Sequence, residues 1–126
     1  MANIITLSEA ETASKFYDGM KVWHRVVATG EYQEFVWAKF EPDGHYPLHS
    51  HPWEQSSIIV QGRMRLTVGE EVRDVGPGDM WVAPAGVPHG GKILGDEPVI
   101  FIDVYSLPSE RYDEDITYYE DWDGGQ

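Results

Sequence analysis

The sequence predicts an all-β barrel or sandwich of antiparallel strands, preceded by one short helical segment. Three observations carry this expectation. Beyond Gly19 the apolar residues gather in short runs rich in β-branched and aromatic side chains. Glycine- and proline-containing turn signals separate those runs. The connections are also too short for the helical crossovers that parallel strands require.

Taken in order, the only helix-like pattern lies in the first twenty residues, where Ser8 can cap and Glu11 completes a capping box three positions on. Strand-like runs follow at Val22–Thr29, Tyr32–Phe40, Ser56–Gln61 and Arg63–Val68. Four more lie at Val72–Val75, Met80–Ala83, Gly90–Leu94 and Val99–Tyr105. Within Arg63–Val68, Met64, Leu66 and Val68 alternate with polar partners, so one face meets a core and Arg63 and Arg65 meet water. The run Val99–Tyr105 is apolar on both faces except for Asp103, which calls for a second sheet or a second subunit over its outer side, and a homodimer is expected. From Ser109 to the end the chain is acidic and tyrosine-rich, and a solvated tail docked by its aromatics is expected there.

The 126 residues fit one domain able to bury roughly two thirds of its unfolded surface. Its core is expected over residues 30–106, with the acidic tail at 109–126. A net charge of −13, from 22 acidic against 9 basic residues, repels phosphate backbones and anionic lipid, so no nucleic-acid or membrane role is expected. The start carries no basic-then-apolar leader and no apolar run approaches a membrane span, which gives a cytoplasmic expectation. There is no cysteine, leaving histidine, carboxylate and amide groups as the possible metal ligands.

Those groups cluster in His49-Ser50-His51-Pro52-Trp53-Glu54-Gln55. On a strand, residues two apart leave the same face, which suits His49 and His51 to one ion. The same parity continues to Gln55 and turns Glu54 away, although Pro52 can shift it and hand the role to Glu54. A second stretch, Gly78 to His89, runs from a tight turn through a short strand and a Pro/Gly bend, and delivers one more histidine at the start of the next strand. Gly62, Gly78 and Gly86 read as turn-makers. His24 and His45 receive only structural roles.

Together the two stretches resemble the motifs of the cupin superfamily. Gly44, His49, His51, Gln55 and Gly62 match the first, and Gly78, Pro84, Gly86 and His89 match the second. The first motif is one residue shorter between Gly44 and His49, carries Gln55 where glutamate is commoner, and has Ile93 where an asparagine often follows the second. The resemblance implies a conserved β-barrel (double-stranded β-helix, or jelly roll) holding one divalent metal ion, Ni, Zn, Fe or Mn, through His49, His51, Gln55 and His89. Three imidazoles and a neutral amide leave the ion's charge uncompensated, which favours an anionic, bidentate small-molecule substrate.

Asp103 shares a strand face with Val99, Phe101 and Tyr105, so it faces the interior if Phe101 does. A buried carboxylate of that kind is costly unless it is paired or used. A narrower resemblance, carried by Tyr46 to Pro52, Glu54-Gln55 and Asp103 to Ser106, is to pectin-degradation cupins of the KdgF type. It implies that 4,5-unsaturated uronates are opened or tautomerised to linear keto acids, with Asp103 and a downstream arginine catalytic. The family's arginine position falls on Ser109 here, and the nearest arginine is Arg111. Trp53, Trp81 and Tyr105 are candidates for an aromatic wall against the sugar. A metal-dependent dioxygenase of the quercetinase type and a non-catalytic binding module are the alternatives.

Overall fold

The computed structural model describes residues 3–106, 115–119 and 122, with the side chains of residues 25–27 excepted. Helix α1 spans Leu7–Ala13. Its cap is Thr6 and not Ser8: the Thr6 hydroxyl accepts the backbone N–H of Glu9 at 3.2 Å. The sequence holds two overlapping capping boxes, Thr6–Glu9 and Ser8–Glu11, and the upstream one starts the helix because its hydroxyl reaches an otherwise orphaned N–H.

Among the described residues eleven strands follow: β1 Lys15–Tyr17, β2 Val22–Thr29, β3 Glu34–Phe40, β4 Tyr46–Ser50, β5 Gln55–Gln61, β6 Arg63–Val68, β7 Glu71–Val75, β8 Met80–Ala83, β9 His89–Leu94, β10 Val99–Tyr105 and β11 Thr117–Tyr118. The four runs expected at 22–29, 63–68, 80–83 and 99–105 have these bounds, and the other four differ by one or two residues at one end. Strands β1, β4 and β11 were not legible as strands. They are short, and β4 carries Pro47 and two polar residues in place of an alternating apolar pattern.

The strands form two sheets, in the orders β1-β2-β3-β10-β5-β8 and β11-β4-β9-β6-β7, with every pairing antiparallel. The two sheets face each other as a jelly-roll sandwich and are not joined into a closed barrel. Between them lies a core of Val22, Ala38, Phe40, Tyr46, Ile59, Met64, Leu66, Trp81, Val99 and Phe101. Phe101 stacks on Phe40 with ring centroids 5.7 Å apart, and Trp81 meets Phe101 edge-on at 5.5 Å. The helix is far too short to cross a membrane, and no helix among the described residues is long and apolar enough to do so.

Strand β10 sits between β3 and β5, with Val99, Phe101 and Asp103 buried against the opposite sheet. Its other parity, Ile100, Ile102 and Val104, is half-buried on the outer face. There Ile102 and Val104 line a shallow groove with Phe35, Ile58, Met80 and Val82. The outer side of β10 is thus shielded partly by its own neighbours and remains an apolar surface of the single chain.

Gly62 makes the turn from β5 to β6 with φ of 84°, and a Cβ there would lie 2.5 Å from the Pro98 carbonyl oxygen and 2.9 Å from Val99 Cα. Both the left-handed backbone and the close approach demand glycine. Gly62→Ala is therefore expected to lower the unfolding free energy by about 2–3 kcal/mol, read as a shift of the urea midpoint at unchanged slope. An unaltered midpoint would mean that the turn relaxes freely.

Candidate metal centre

Backbone register brings the histidines together. His49, at the end of β4, is the direct cross-strand partner of His89, the first residue of β9. The two strands can approach because Gly90 has no side chain: a Cβ on it would lie 2.7 Å from the Pro47 carbonyl oxygen and 2.9 Å from Leu48 Cα. His51 follows β4 and leads into β5, which Gln55 begins. The potential ligand atoms of His49, His51 and His89 all lie within 4.8 Å of one another, so these three residues could hold a metal ion.

The second ring nitrogens are fixed. Nδ1 of His49 is 2.8 Å from the Pro47 carbonyl oxygen, that of His51 is 2.8 Å from the Trp53 oxygen, and that of His89 is 3.0 Å from the Val87 oxygen. A carbonyl only accepts, so each Nδ1 carries the proton and each neutral ring turns its bare Nε2 toward the cluster. Gln55 Oε1 lies 3.1 Å from His51 Nε2 and 3.2 Å from His89 Nε2. In that tautomer both sides of these contacts are lone pairs with no proton between them. The donor set is arranged for a cation.

Electrostatics agree. Burial lowers the pKa of all three histidines, to about 4 for His49 and about 3 for His89, and their mutual repulsion adds to the effect at those two. The rings therefore stay neutral at ordinary pH, the form that binds a metal.

The far side of Gln55 is held as firmly. Its Nε2 donates to Asp103 Oδ1 at 3.0 Å and to Ser57 Oγ at 3.0 Å, while Ser57 donates to the same Oδ1 at 2.5 Å. Tyr105 OH lies 3.5 Å from Asp103 Oδ2. Asp103 is 4 % exposed, and burial pushes its pKa up to about 7 against the opposing pull of its hydrogen bonds from Ser57, Tyr105 and Gln55.

This bracket gives a physical reason for an amide at position 55, because a glutamate would set a second carboxylate 3 Å from Asp103. Gln55→Glu is expected to leave the two acids sharing one proton in the metal-free protein. The parent's Asp103 holds such a proton only up to about 7, whereas the shared proton of the pair is kept above it, so the variant's stability goes on falling with pH where the parent's levels off. Losing the charge-assisted hydrogen bond costs about 2 kcal/mol. Thermal melts of metal-free protein across that range check this, and a pH-independent difference between variant and parent would count against it.

The candidates separate as follows. His49, His51, Gln55, His89 and Asp103 meet in one place. Glu54 is exposed and points elsewhere. Trp53 is buried and stacks on His51, with centroids 4.5 Å apart and planes 6° apart, and Tyr105 meets Trp53 edge-on at 6.2 Å. Trp81 is the cross-strand partner of Ser57, but its ring belongs to the hydrophobic core and meets Phe101 edge-on, and it does not line the cavity with the histidines. Arg111 lies outside the described residues.

His49, His51, Trp53, Asp103 and Tyr105 line a cavity of about 340 Å³ that continues between the sheets past Val22, Val36, Ala38 and Phe40. Sequence reading missed four of the lining residues that carry a polar group: Tyr17, His24, Tyr46 and Tyr118. For His24 a signal existed, because it shares strand parity with Val22, which is buried. For Tyr118 none did: it reaches the site because β11 pairs with β4 and sets Tyr118 opposite His49, their rings 6.0 Å apart. The described part of the acidic tail is thus docked by aromatics, with Tyr119 OH 3.1 Å from Ser50 Oγ.

A jelly-roll sandwich with a three-histidine cluster that could hold a metal ion defines a small class of β-proteins. The cupin domain family model matches residues 36–105, and the chain belongs to the cupin family. Over 80 residues it is 33 % identical to an H2HPP isomerase of Bacillus subtilis, covering 62 % of this chain and 34 % of that protein. Over 90 residues it is 30 % identical to the oxalate decarboxylase OxdC of Bacillus subtilis (strain 168), covering 67 % of this chain and 23 % of that one. The matches span 34 % and 23 % of the length of these two relatives. Among solved structures, KdgF from Halomonas sp. superposes with a TM-score of 0.64 at 28 % identity, covering 75 % of this chain and 84 % of that one.

Proposed function

We propose that the chain is a metal-dependent isomerase that moves a proton within a small acid, with a 4,5-unsaturated uronate as its substrate and a linear keto acid as its product. One observation carries the reading. Unprotonated Nε2 atoms of His51 and His89 converge with Gln55 Oε1, and the same glutamine is hydrogen-bonded to a buried carboxyl whose pKa stands near 7. His49, His51, His89 and Gln55 would hold one divalent ion, and nickel, zinc, iron and manganese all suit such a set. When bound, that ion supplies a Lewis acid that polarises the substrate's carboxylate and ring oxygen.

The rest falls to the chain's own residues. Asp103, poised to take and return a proton at neutral pH, would take the proton of the C1 hydroxyl as the C1–O5 bond opens to an aldehyde and an enolate, and return it to C4 to leave a ketone at C5. Ser57 and Gln55 hold Oδ1, leaving the side toward Tyr105 for the exchange. Trp53 keeps His51 in place and closes the wall beside it. Arg111 is assigned the substrate carboxylate, in the role of the downstream arginine of the pectin-degradation cupins. Kinship to an isomerase and to a KdgF supports this class of reaction.

The test is elemental analysis of protein purified without added metal, followed by a spectrophotometric assay on unsaturated galacturonate under nitrogen. Loss of the substrate's absorbance without oxygen supports the proposal. Turnover that requires oxygen points instead to a dioxygenase, and tight binding without turnover to a binding module.

We also infer that a second copy covers the outer face of β3, β10, β5 and β8. Phe35, Ile58, Val60, Met80 and Val82 are exposed there, with Ile102 and Val104 between them, and none carries a charge. On a chain of net charge −13 this face, whose outward residues include Lys39 and no acid, is where two copies can meet without repulsion between carboxylates. Light scattering is expected to give a dimer for the parent and a monomer for a variant with Met80→Asp and Val82→Asp. A parent that is monomeric at micromolar concentration ends this inference.

A further inference from the structure

His24 is a polar group that the reaction above does not use. It lies on β2 and lines the same cavity as Asp103 and the histidine cluster. Its cross-strand partner is Ala38, whose own partner on the other side is Phe101; Asp103 is two residues further along β10. Two strand spacings and two residue rises put the Cα atoms of His24 and Asp103 roughly 12 Å apart. Val36, Ala38 and Phe101 floor the space between, and they offer a ligand hydrocarbon contact only.

Tyr17 packs edge-on against the His24 ring with centroids 6.0 Å apart, which fixes the imidazole without using its nitrogens. Among the described residues no hydrogen bond satisfies those nitrogens. Burial lowers the pKa, so the ring is neutral and offers one donor and one acceptor. An imidazole held in this way on an apolar wall can exchange its water for a polar group of a ligand.

We propose that His24 reads the far edge of the ligand, hydrogen-bonding a hydroxyl or carbonyl on a ring whose opposite edge carries the acid bound at the histidine cluster. The substrate class is then a single-ring acid with a hydroxyl or carbonyl across the ring from its carboxyl, a place the C2 hydroxyl of a 4,5-unsaturated uronate takes. Open-chain acids and rings without the far substituent bind less well. This inference rests on the metal reading of the cluster and adds what the other end of the cavity selects.

The experiment uses nickel-loaded protein and two probes that differ by one hydroxyl: mandelate and 4-hydroxymandelate, both of which present a chelating hydroxy acid. Calorimetric titration of the parent is expected to give a Kd about five- to tenfold lower for 4-hydroxymandelate, the worth of one hydrogen bond. In His24→Ala the preference disappears and the Kd of mandelate is unchanged, and His24→Asn, which keeps a donor and an acceptor, restores part of it. Equal affinities in the parent overturn the proposal, as does a preference that survives in His24→Ala. Should His24→Ala fail to fold, the parent's comparison and His24→Asn still decide. Protein that takes up nickel and binds neither probe also refutes the role given to His24. Protein that takes up no nickel refutes the metal reading itself.

Discussion

With His89 replaced by alanine, the protein is expected to lose the divalent metal proposed for its histidine cluster. Removing a hydrogen bond that merely supports a ligand costs roughly 10–100-fold in metal affinity, and removing one of the ligands costs more, about a thousandfold or beyond. His89 is the member of the cluster to remove first, because it is wholly buried and is in contact with both His49 and Gln55. Its burial also means that the truncation leaves a hole, so the measurement is paired with circular dichroism and with His49→Ala, where the ring is only half-buried. Metal content by mass spectrometry and competition with a chromophoric chelator give the affinity. Two folded variants that keep parental affinity would falsify the site.

The second large effect is expected from Asp103→Asn. Asparagine matches the shape of the carboxylate, and its Oδ1 can go on accepting from Ser57 and from the Gln55 amide. The bracket that turns Gln55 Oε1 toward His51 and His89 therefore survives, and metal content should stay near that of the parent. What disappears is the group able to take and give a proton near pH 7. General acid–base groups contribute about 10²–10⁴-fold, so kcat should drop by that factor with little change in KM. If metal is lost together with turnover, Asp103 acts by positioning Gln55 and not by carrying the proton. Turnover at the parental rate removes it from the chemistry altogether.

The outcome at the cluster clarifies how a one-dimensional pattern specifies a three-dimensional site. His49 and His51 are two residues apart, and that parity survives although the chain leaves β4 at Ser50, before His51. The same parity extends across Pro52 to Gln55 because the bend at Pro52 and Trp53 does not change which face the chain presents on entering β5. Asp103 was legible for a related reason: on β10 one face reads Val99, Phe101, Asp103, and a strand with two apolar neighbours on that face buries the third. Parity failed where length was short. Three or two residues, as in β1 and β11, carry no period, and parity turns Trp81 inward without saying that its ring packs on Phe101.

Local order therefore sets what each residue offers: which side chains face inward, where glycine must turn the chain, which nitrogen and oxygen donors stand within a few residues of one another, and that an acid sits among hydrocarbon. Tertiary structure alone decides who meets whom. It pairs His49 with His89 across 40 residues of sequence, because β9 can close on β4 only where Gly90 leaves room. It also binds Gln55 to Asp103 and brings His24 and Tyr118 onto one cavity wall. The reason is physical: side-chain direction along a strand follows from the alternation of the backbone, whereas strand neighbours follow from how two sheets close over a shared core, which no short stretch of the chain contains.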